Sequence, residues 1–136
     1  MQVSRVYECE PIDVTEWQPR FLNAALVGTT ARSAPDLLDR LLTIEAYAGR
    51  TRPHQGAART LDLDLILYGD VVSESPTVLV PHPRFRDRLF VLEPLAEVAG
   101  DWVDPVTGLT VQRLLVNARA QIVTDPKRRP WLAGTR

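Results

Sequence analysis

The 136-residue sequence predicts an α+β fold, in which helices pack on an antiparallel or mixed sheet. Segments 2–9, 21–29 and 60–68 have the apolar patterns of strands. Segments 33–49 and 110–122 have apolar residues at helical spacing. These elements do not alternate strictly along the chain, so the order does not favour a parallel sheet built from βαβ units.

Two strands are predicted at the start of the chain. Residues 2–9 alternate polar and apolar side chains, and Pro11 ends that run. Residues 21–29 form the second predicted strand. The polar, proline-flanked segment 10–20 is a predicted loop, so the two strands can pair antiparallel across it.

The clearest helical pattern begins at Ser33. This serine stands three residues before Asp36, which is typical of a helix N-cap, and Pro35 falls in the first turn, where its missing N–H costs nothing. Apolar residues then recur at helical spacing up to Gly49, the predicted end of the helix. The basic segment 50–58 is a predicted loop.

The segment 60–68 predicts a strand because its side chains alternate strictly. Four leucines share one face, and the other face has Asp62, Asp64, Ile66 and Tyr68. Two aspartates therefore lie in one of the most apolar segments of the chain.

The later elements are predicted mainly from turn residues and helical spacing. In order they are a turn at 69–70, a short return strand at 71–75, a loop at 80–88, a helix at 89–99, a turn at 102–108 and a helix at 110–122. Pro94 lies inside the first of these helices, where proline is tolerated only near the helix start or at a kink. The last helix has an apolar face of Val111, Leu114, Leu115, Ala118 and Ile122. We expect one domain over residues 1–123 and a loosely ordered tail over 124–136.

Composition is that of a globular protein in a reducing compartment. Hydrophobic residues make up 45% and charged residues 24% of the chain, and no apolar run is long enough for a membrane helix. The first residues lack a signal-peptide pattern, and the single cysteine, Cys9, excludes an intramolecular disulfide. The net charge of -1 gives no support for nucleic acid or a membrane as partner. We expect a cytoplasmic protein.

Asp62 and Asp64 are the candidate metal ligands. In a strand, carboxylates two residues apart point to one side, roughly 6 to 7 Å from each other. They repel unless a cation lies between them. Magnesium suits this pair, because carboxylates bind it while waters and phosphates complete its octahedron. A solvated sheet face, or pairing with nearby arginines, is the alternative interpretation.

Basic residues flank the aspartate pair on both sides. Arg50, Arg52 and Arg59 precede it, and His82, Arg84, Arg86 and Arg88 follow it. Metal ions that bridge a polyphosphate, with arginines on the remaining oxygens, are the parts that phosphoryl transfer requires. For any single arginine, a position in a solvated loop is the alternative.

The motifs together resemble a known family. RTLDLDLILYGD at 59–70, followed by VPHPRFRDRLFVLEPLAEVAGDWVDP at 80–105, is similar to 6-hydroxymethyl-7,8-dihydropterin pyrophosphokinases of the folate pathway. The similarity extends upstream through RTR at 50–52 and FLNAAL at 21–26. The resemblance implies a ferredoxin-like arrangement of sheet and helices. It also implies transfer of the pyrophosphoryl group of ATP to the hydroxymethyl oxygen of the pterin, with release of AMP.

The resemblance also implies which residues handle the nucleotide. Asp62 and Asp64 would hold two Mg²⁺ ions that bridge the ATP phosphates, and Arg50 and Arg59 would act with them as catalytic residues that stabilise the transferred group. The implied ATP-binding residues are Arg50, Arg52, Arg59, His82 and Arg88.

For the pterin, the resemblance implies a ring stacked between two aromatic residues and bound at its edge by an asparagine. Phe21 and Phe90 match the stacking positions, and Asn23 matches the asparagine. Without the resemblance, core packing for the phenylalanines and a turn or edge hydrogen bond for Asn23 would be preferred. The other implied substrate-binding residues are Cys9, Glu10 and Ile12.

The family usually opens with a strand, a G-S-N loop and a long helix, and this sequence has no G-S-N. We therefore expect an N-terminally truncated version of the fold. Loss of a central strand would leave unpaired backbone and an uncovered apolar face. A second copy in a homo-oligomer, a swapped strand or a rearranged sheet is expected to fill this gap.

Three functions stay open at this point. The first is an active pterin pyrophosphokinase, and the second is a truncated, weakly active or inactive homologue that acts as a binding module. The third is a D-x-D metal-dependent nucleotide-sugar transferase, which this small chain disfavours because it offers no obvious nucleoside-binding α/β unit. Retention of the aspartates, the arginines, Asn23 and Phe90 favours the first over the second. The missing front strand, loop and helix favour the second.

Overall fold

The computed structural model describes residues 1–9, 21–49, 61–124 and 134–135. The chain divides into two compact units. The terminal unit comprises Met1–Thr29 and Pro83–Arg136, and the central unit comprises Thr30–His82. No helix among the described residues is both long and apolar enough to cross a membrane.

In the part of the chain that the structure describes, the strands are short and each pairing between them is antiparallel. They are β1 (Gln2–Val3), β2 (Tyr7–Cys9), β3 (Phe21–Asn23), β4 (Leu26–Val27), β5 (Ser73–Ser75), β6 (Val78–Val80) and β7 (Gly134–Thr135). In the terminal unit β1 pairs with β4, and β2 lies between β3 and β7. In the central unit β5 pairs with β6. These small antiparallel sheets, together with the helices, confirm the α+β prediction and the antiparallel pairing of segments 2–9 and 21–29.

The predicted strand 2–9 is divided at Ser4. The Ser4 N–H donates to the Ala25 carbonyl at 2.8 Å, and the Ser4 hydroxyl accepts the Ala25 N–H at 2.8 Å. The Ser4 hydroxyl thus accepts the Ala25 N–H in place of a backbone carbonyl. Three residues separate β1 from β2 but only two separate β3 from β4, which makes the interruption a bulge.

The three predicted helices are confirmed by α-helices within the described ranges. They are α1 (Ala34–Ala48), α2 (Leu89–Ala99) and α3 (Val111–Thr124), and a one-turn 3-10 helix spans Phe85–Asp87 within the predicted loop 80–88. As predicted, Ser33 caps α1, because its hydroxyl accepts the Asp36 N–H at 3.3 Å. Gly49 is the C-cap of the same helix.

The core of the terminal unit lies where α2 packs against α3 and against strands β2 to β4. Phe85, Leu92 and Val111 are fully buried there. The predicted apolar face of α3 is confirmed at Val111, Leu114, Leu115 and Ala118, and the side chain of Ile122 lies outside the description.

The central unit has a smaller core. Ala34 of α1 is buried together with Val78 and Val80 of β6, and Leu65 and Tyr68 pack against them. The Tyr68 hydroxyl also donates to the Arg32 carbonyl just before the helix. This core therefore joins α1, the β5–β6 hairpin and the segment that carries the two predicted metal ligands.

Candidate functional site

The segment 61–68, which carries both predicted metal ligands, is not a strand. It pairs with no strand among the described residues, so the prediction of a strand at 60–68 is wrong for the part that is described. Leu65 and Tyr68 are three residues apart, and both pack against the same core around Val78. Strict alternation would place these two side chains on opposite faces. Contacts with the core, rather than a sheet register, therefore determine the path of this segment.

Besides the bond from Tyr68 to Arg32, backbone hydrogen bonds hold the segment within the central unit. The Leu63 N–H, between the two aspartates, donates to Glu45 Oε2 of α1 at 2.6 Å. The His82 N–H donates to the Ile66 carbonyl at 2.8 Å. A bond to an ionised carboxylate is among the stronger hydrogen bonds in proteins. Helix α1 therefore anchors the backbone at the aspartate pair.

Both Asp62 and Asp64 are exposed, whereas Leu63 between them is half-buried. Among the described residues, no group of three or more His, Cys, Asp and Glu side chains is placed to hold a metal ion. Two accessible carboxylates nevertheless fit magnesium, which is often bound by one or two carboxylates while water and substrate phosphates supply its other oxygens. The two carboxylates therefore suit a Mg²⁺ ion that binds together with a phosphate group.

The predicted pterin residues Asn23 and Phe90 are brought together in the terminal unit. Asn23 ends β3, and its Nδ2 donates to the main-chain carbonyl of Phe90, the second residue of α2, at 2.6 Å. Both residues are half-buried. The structure therefore connects the candidate amide and the candidate stacking residue through one direct bond.

Arg88, a predicted nucleotide-binding residue, adjoins the same phenylalanine. It is the N-cap of α2, and its guanidinium carbon lies 5.6 Å from the centroid of the Phe90 ring. This distance is within the range of a cation–π interaction. A positive charge thus lies next to an aromatic ring, an arrangement that suits a flat ligand carrying anionic groups.

Arg86, which lies in the same loop, forms an ion pair with the buried Asp104. Its Nε and Nη2 donate to the fully buried Asp104 at 2.5 and 3.0 Å, and Asp104 also accepts the Val106 N–H at 3.0 Å and the Thr107 hydroxyl at 2.7 Å. Burial by itself would raise the pKa of Asp104. The hydrogen bonds from Arg86, Thr107 and Val106 outweigh burial and lower this pKa from 3.8 to about 2.

The sequence pattern at 102–108 predicts a turn but not this hydrogen-bonded cluster. A signal was present, because aspartate in a turn readily accepts hydrogen bonds from backbone groups two residues later. The bonds from Arg86 show that this arginine stabilises the loop between the central unit and α2.

Some predicted site residues lie outside the described residues. They are Glu10, Ile12, Arg50, Arg52 and Arg59. For Cys9 and Phe21 the structure describes the backbone, where the two residues are cross-strand partners in β2 and β3. The remaining predicted residues fall into two sets, with Asp62, Asp64 and His82 in the central unit and Asn23, Arg88 and Phe90 in the terminal unit.

Comparison with known proteins identifies the family. A family model described as 7,8-dihydro-6-hydroxymethylpterin-pyrophosphokinase (HPPK) matches residues 1–100. A 2-amino-4-hydroxy-6-hydroxymethyldihydropteridine pyrophosphokinase of Synechocystis sp. is 47% identical over 98 residues, which cover 72% of this chain and 50% of that protein.

Proteins with the same name in two other bacteria are similar over the same part of the chain. The one from Pseudomonas aeruginosa is 41% identical over 99 residues, covering 73% of this chain and 60% of that protein. The one from Bacillus subtilis is 41% identical over 97 residues, covering 71% and 58%. The chain thus spans between half and three fifths of the length of these curated relatives. The match over residues 1–100 and these identities show that the chain belongs to the 7,8-dihydro-6-hydroxymethylpterin-pyrophosphokinase family.

Proposed function

We propose that the chain transfers the pyrophosphoryl group of ATP to 6-hydroxymethyl-7,8-dihydropterin and releases AMP, in folate biosynthesis. The observation that carries the proposal is the family match over residues 1–100. This range contains both described sets of candidate residues, the aspartate pair of the central unit and the Asn23–Phe90 contact of the terminal unit. The names of the relatives supply the acceptor and the reaction type.

In the proposed reaction, the hydroxymethyl oxygen of the pterin attacks the β-phosphorus of ATP. An oxygen–phosphorus bond forms, and the bond from the β-phosphorus to the oxygen shared with the α-phosphate breaks. AMP keeps that oxygen, and the hydroxyl proton passes to water. Such a transfer needs alignment of the two substrates and neutralisation of phosphate charge, with no covalent intermediate on the protein.

Asp62 and Asp64 are the residues that would hold Mg²⁺, two ions in our proposal. When bound, magnesium neutralises phosphate charge and orients the phosphate oxygens. The exposure of both carboxylates supports this role, and so does the Glu45–Leu63 hydrogen bond that anchors the backbone between them.

Arginines and a histidine would bind the remaining phosphate oxygens. Arg88 and His82 are the described members of this set, and Arg50, Arg52 and Arg59 are proposed on the resemblance alone. Arg50 and Arg59 would lie at the transferred group and stabilise its charge, as preorganised cations do in other transfer reactions. The planar guanidinium suits this task because it can donate two parallel hydrogen bonds to phosphate oxygens.

The pterin would lie against Phe90, with Phe21 as the second stacking residue. Asn23 uses one of its two amide hydrogens on the Phe90 carbonyl, which leaves the other hydrogen and the carbonyl oxygen for the edge of the pterin ring. The proposed pocket is completed by Cys9, Glu10 and Ile12.

The experiment that tests the proposal measures AMP after incubation of the protein with ATP, magnesium and the hydroxymethyl pterin. We expect AMP from the wild-type chain, none from Asp62→Ala, and a normal yield from Asp70→Ala, which removes an exposed aspartate of the same unit. Nucleotide binding without AMP would contradict the proposal and favour a binding module. Turnover of a sugar nucleotide in place of the pterin would favour the D-x-D glycosyl transfer alternative.

We also propose that the chain associates with a second copy. Val3 and Leu26 are cross-strand partners, and Leu22 lies opposite Glu8, yet these three apolar side chains are 62%, 59% and 59% exposed. Exposed apolar sheet residues favour association. Light scattering is expected to find an oligomer that Leu22→Lys with Leu26→Lys converts to monomer, and a monomeric wild-type protein would contradict this.

The remaining expectations stand as proposals. We propose residues 1–123 as the catalytic domain and 124–136 as its tail, of which the structure describes Thr124 at the end of α3 and the two residues of β7. We propose a cytoplasmic location, supported by the single cysteine, Cys9.

A further inference from the structure

Pro94 lies inside a helix of the terminal unit, where proline destabilises the helix. It is the sixth residue of α2 and is fully buried. In an α-helix the N–H of residue 94 would donate to the carbonyl of residue 90. Proline has no N–H to donate, and inside a helix it is strongly unfavourable. Neither the start of the helix nor solvent exposure explains its presence.

The carbonyl that Pro94 cannot reach is the one that Asn23 binds. Asn23 Nδ2 donates to the Phe90 carbonyl at 2.6 Å, so a side chain of β3 supplies a hydrogen to the carbonyl that a backbone N–H at position 94 would otherwise approach. The bond also determines the orientation of the amide, because Nδ2 must face Phe90. The carbonyl oxygen of Asn23 and its second amide hydrogen are then directed elsewhere.

We propose that Pro94 is a positioning residue for the pterin pocket. Because it withholds a backbone donor from the Phe90 carbonyl, it reserves that carbonyl for Asn23 and so determines which atoms of the amide meet the substrate. The inference rests on the proposed function, since the pterin is the ligand that the amide would bind. Helix α2 therefore lacks the backbone hydrogen bond that residue 94 would donate, and the Asn23 amide has a defined orientation in the proposed pocket.

Replacement of Pro94 should therefore weaken pterin binding without lowering the stability of the chain. Pro94→Ala restores an N–H at position 94, which can donate to the Phe90 carbonyl and compete with Asn23. We expect the melting temperature not to fall, because alanine favours the helix. We expect pterin affinity to fall about tenfold, because loss of orientation at a contact group weakens productive binding. Pro94→Val, which also restores the N–H but retains more side-chain volume, is expected to act in the same way.

Two measurements test the proposal on the full chain. The first is hydrogen exchange of the Asn23 side-chain amide by NMR, with the signal assigned by its loss in Asn23→Ala. The second is titration of the hydroxymethyl pterin in the presence of magnesium and a non-hydrolysable ATP analogue. Pro35→Ala is the matched control, because Pro35 lies in the first turn of α1 and withholds no helical hydrogen bond.

The expected result is faster exchange of the Asn23 amide and weaker pterin binding in both Pro94 variants, with no change in Pro35→Ala. In the Asn23→Ala background, Pro94→Ala should have no further effect on affinity. Unchanged exchange, or faster exchange with unchanged affinity, would overturn the proposal. Failure of the wild-type chain to bind the pterin would overturn the proposed function, while the exchange measurement would still decide whether Pro94 orients Asn23.

Discussion

The side-chain amide of Asn23 donates a hydrogen bond to the main-chain carbonyl of Phe90 at 2.6 Å. The bond joins the end of β3 to the first turn of α2, although 67 positions separate the two residues in the sequence. The positions of two residues proposed to contact the pterin are therefore linked by a direct hydrogen bond. A substitution at one of them should alter the contribution of the other to pterin binding.

Asn23→Asp should weaken pterin binding by at least tenfold, because an ionised carboxylate cannot donate to the Phe90 carbonyl and leaves a half-buried acceptor next to it. Titration calorimetry measures the change. The control is Asn117→Asp, which makes the same replacement at an exposed position of α3 and should leave affinity unchanged. Equal affinities for Asn23→Asp and the wild-type chain would contradict the role of Asn23.

Asp62→Asn and Asp64→Asn should each lower the rate of AMP formation by about a hundredfold or more, since each removes a charge proposed to hold magnesium beside the phosphates. Binding of Mn²⁺, followed by electron paramagnetic resonance with the ATP analogue present, should weaken in parallel. Asp70→Asn is the control and should behave as wild type in both measurements. Unaltered Mn²⁺ binding in the two variants would argue against these ligands.

Glu45 should affect metal affinity without touching the metal. Glu45→Ala removes the acceptor of the Leu63 N–H and is expected to weaken Mn²⁺ binding roughly tenfold, the lower end of the effect of residues that orient ligands. Glu45→Gln retains an oxygen that can accept this hydrogen and should lose much less. Glu74→Gln, in β5, is the control. If the alanine and glutamine variants bind equally well, the bond to Leu63 does not position the aspartates.

Acid should remove the stabilisation contributed by Asp104. Its pKa is lowered to about 2 in the folded chain, against 3.8 for an ordinary aspartate, because the bonds from Arg86, Thr107 and Val106 outweigh the effect of burial. The contribution is therefore complete above about pH 4 and is lost as the pH falls from there toward 2. The difference in unfolding free energy between the wild-type chain and Asp104→Asn should shrink by roughly 2 kcal/mol over this range.

Urea unfolding at pH 6, 4 and 2 measures this difference. Glu93→Gln is the control, because Glu93 belongs to an ion pair with Arg119 that is partly exposed and should contribute little. A wild-type advantage over Asp104→Asn that is constant with pH would mean that the carboxylate does not titrate as described.

Helix ends were predictable because their signals are local. The Ser33 cap, Pro35 in the first turn and the stop at Gly49 delimit α1 without reference to any other segment. The path of 61–68 was not predictable in this way. Alternation predicts the directions of side chains, but a strand also needs a neighbour with free backbone groups, and the sequence does not state which segment that is.

In the candidate site, too, residue types and spacing were predictable from the sequence, whereas contacts between distant residues were not. The D-x-D spacing indicated a metal site from residue chemistry alone, and the resemblance identified Asn23 and Phe90. The bonds from Asn23 to Phe90 and from Glu45 to Leu63 join residues far apart in sequence, so spacing could not reveal them. Pro94 carried a usable signal, because a buried proline inside a helix leaves a carbonyl for some other donor.

The most direct measurement of the central claim follows the β-phosphate of ATP. The wild-type chain is incubated with magnesium, the hydroxymethyl pterin and ATP labelled at the β-phosphorus, and both products are quantified. We predict one labelled pterin diphosphate for each AMP formed, with the rates of formation of both products lowered about a hundredfold or more in Asp64→Asn. AMP accompanied by free labelled pyrophosphate, or label that stays in the nucleotide, would contradict it.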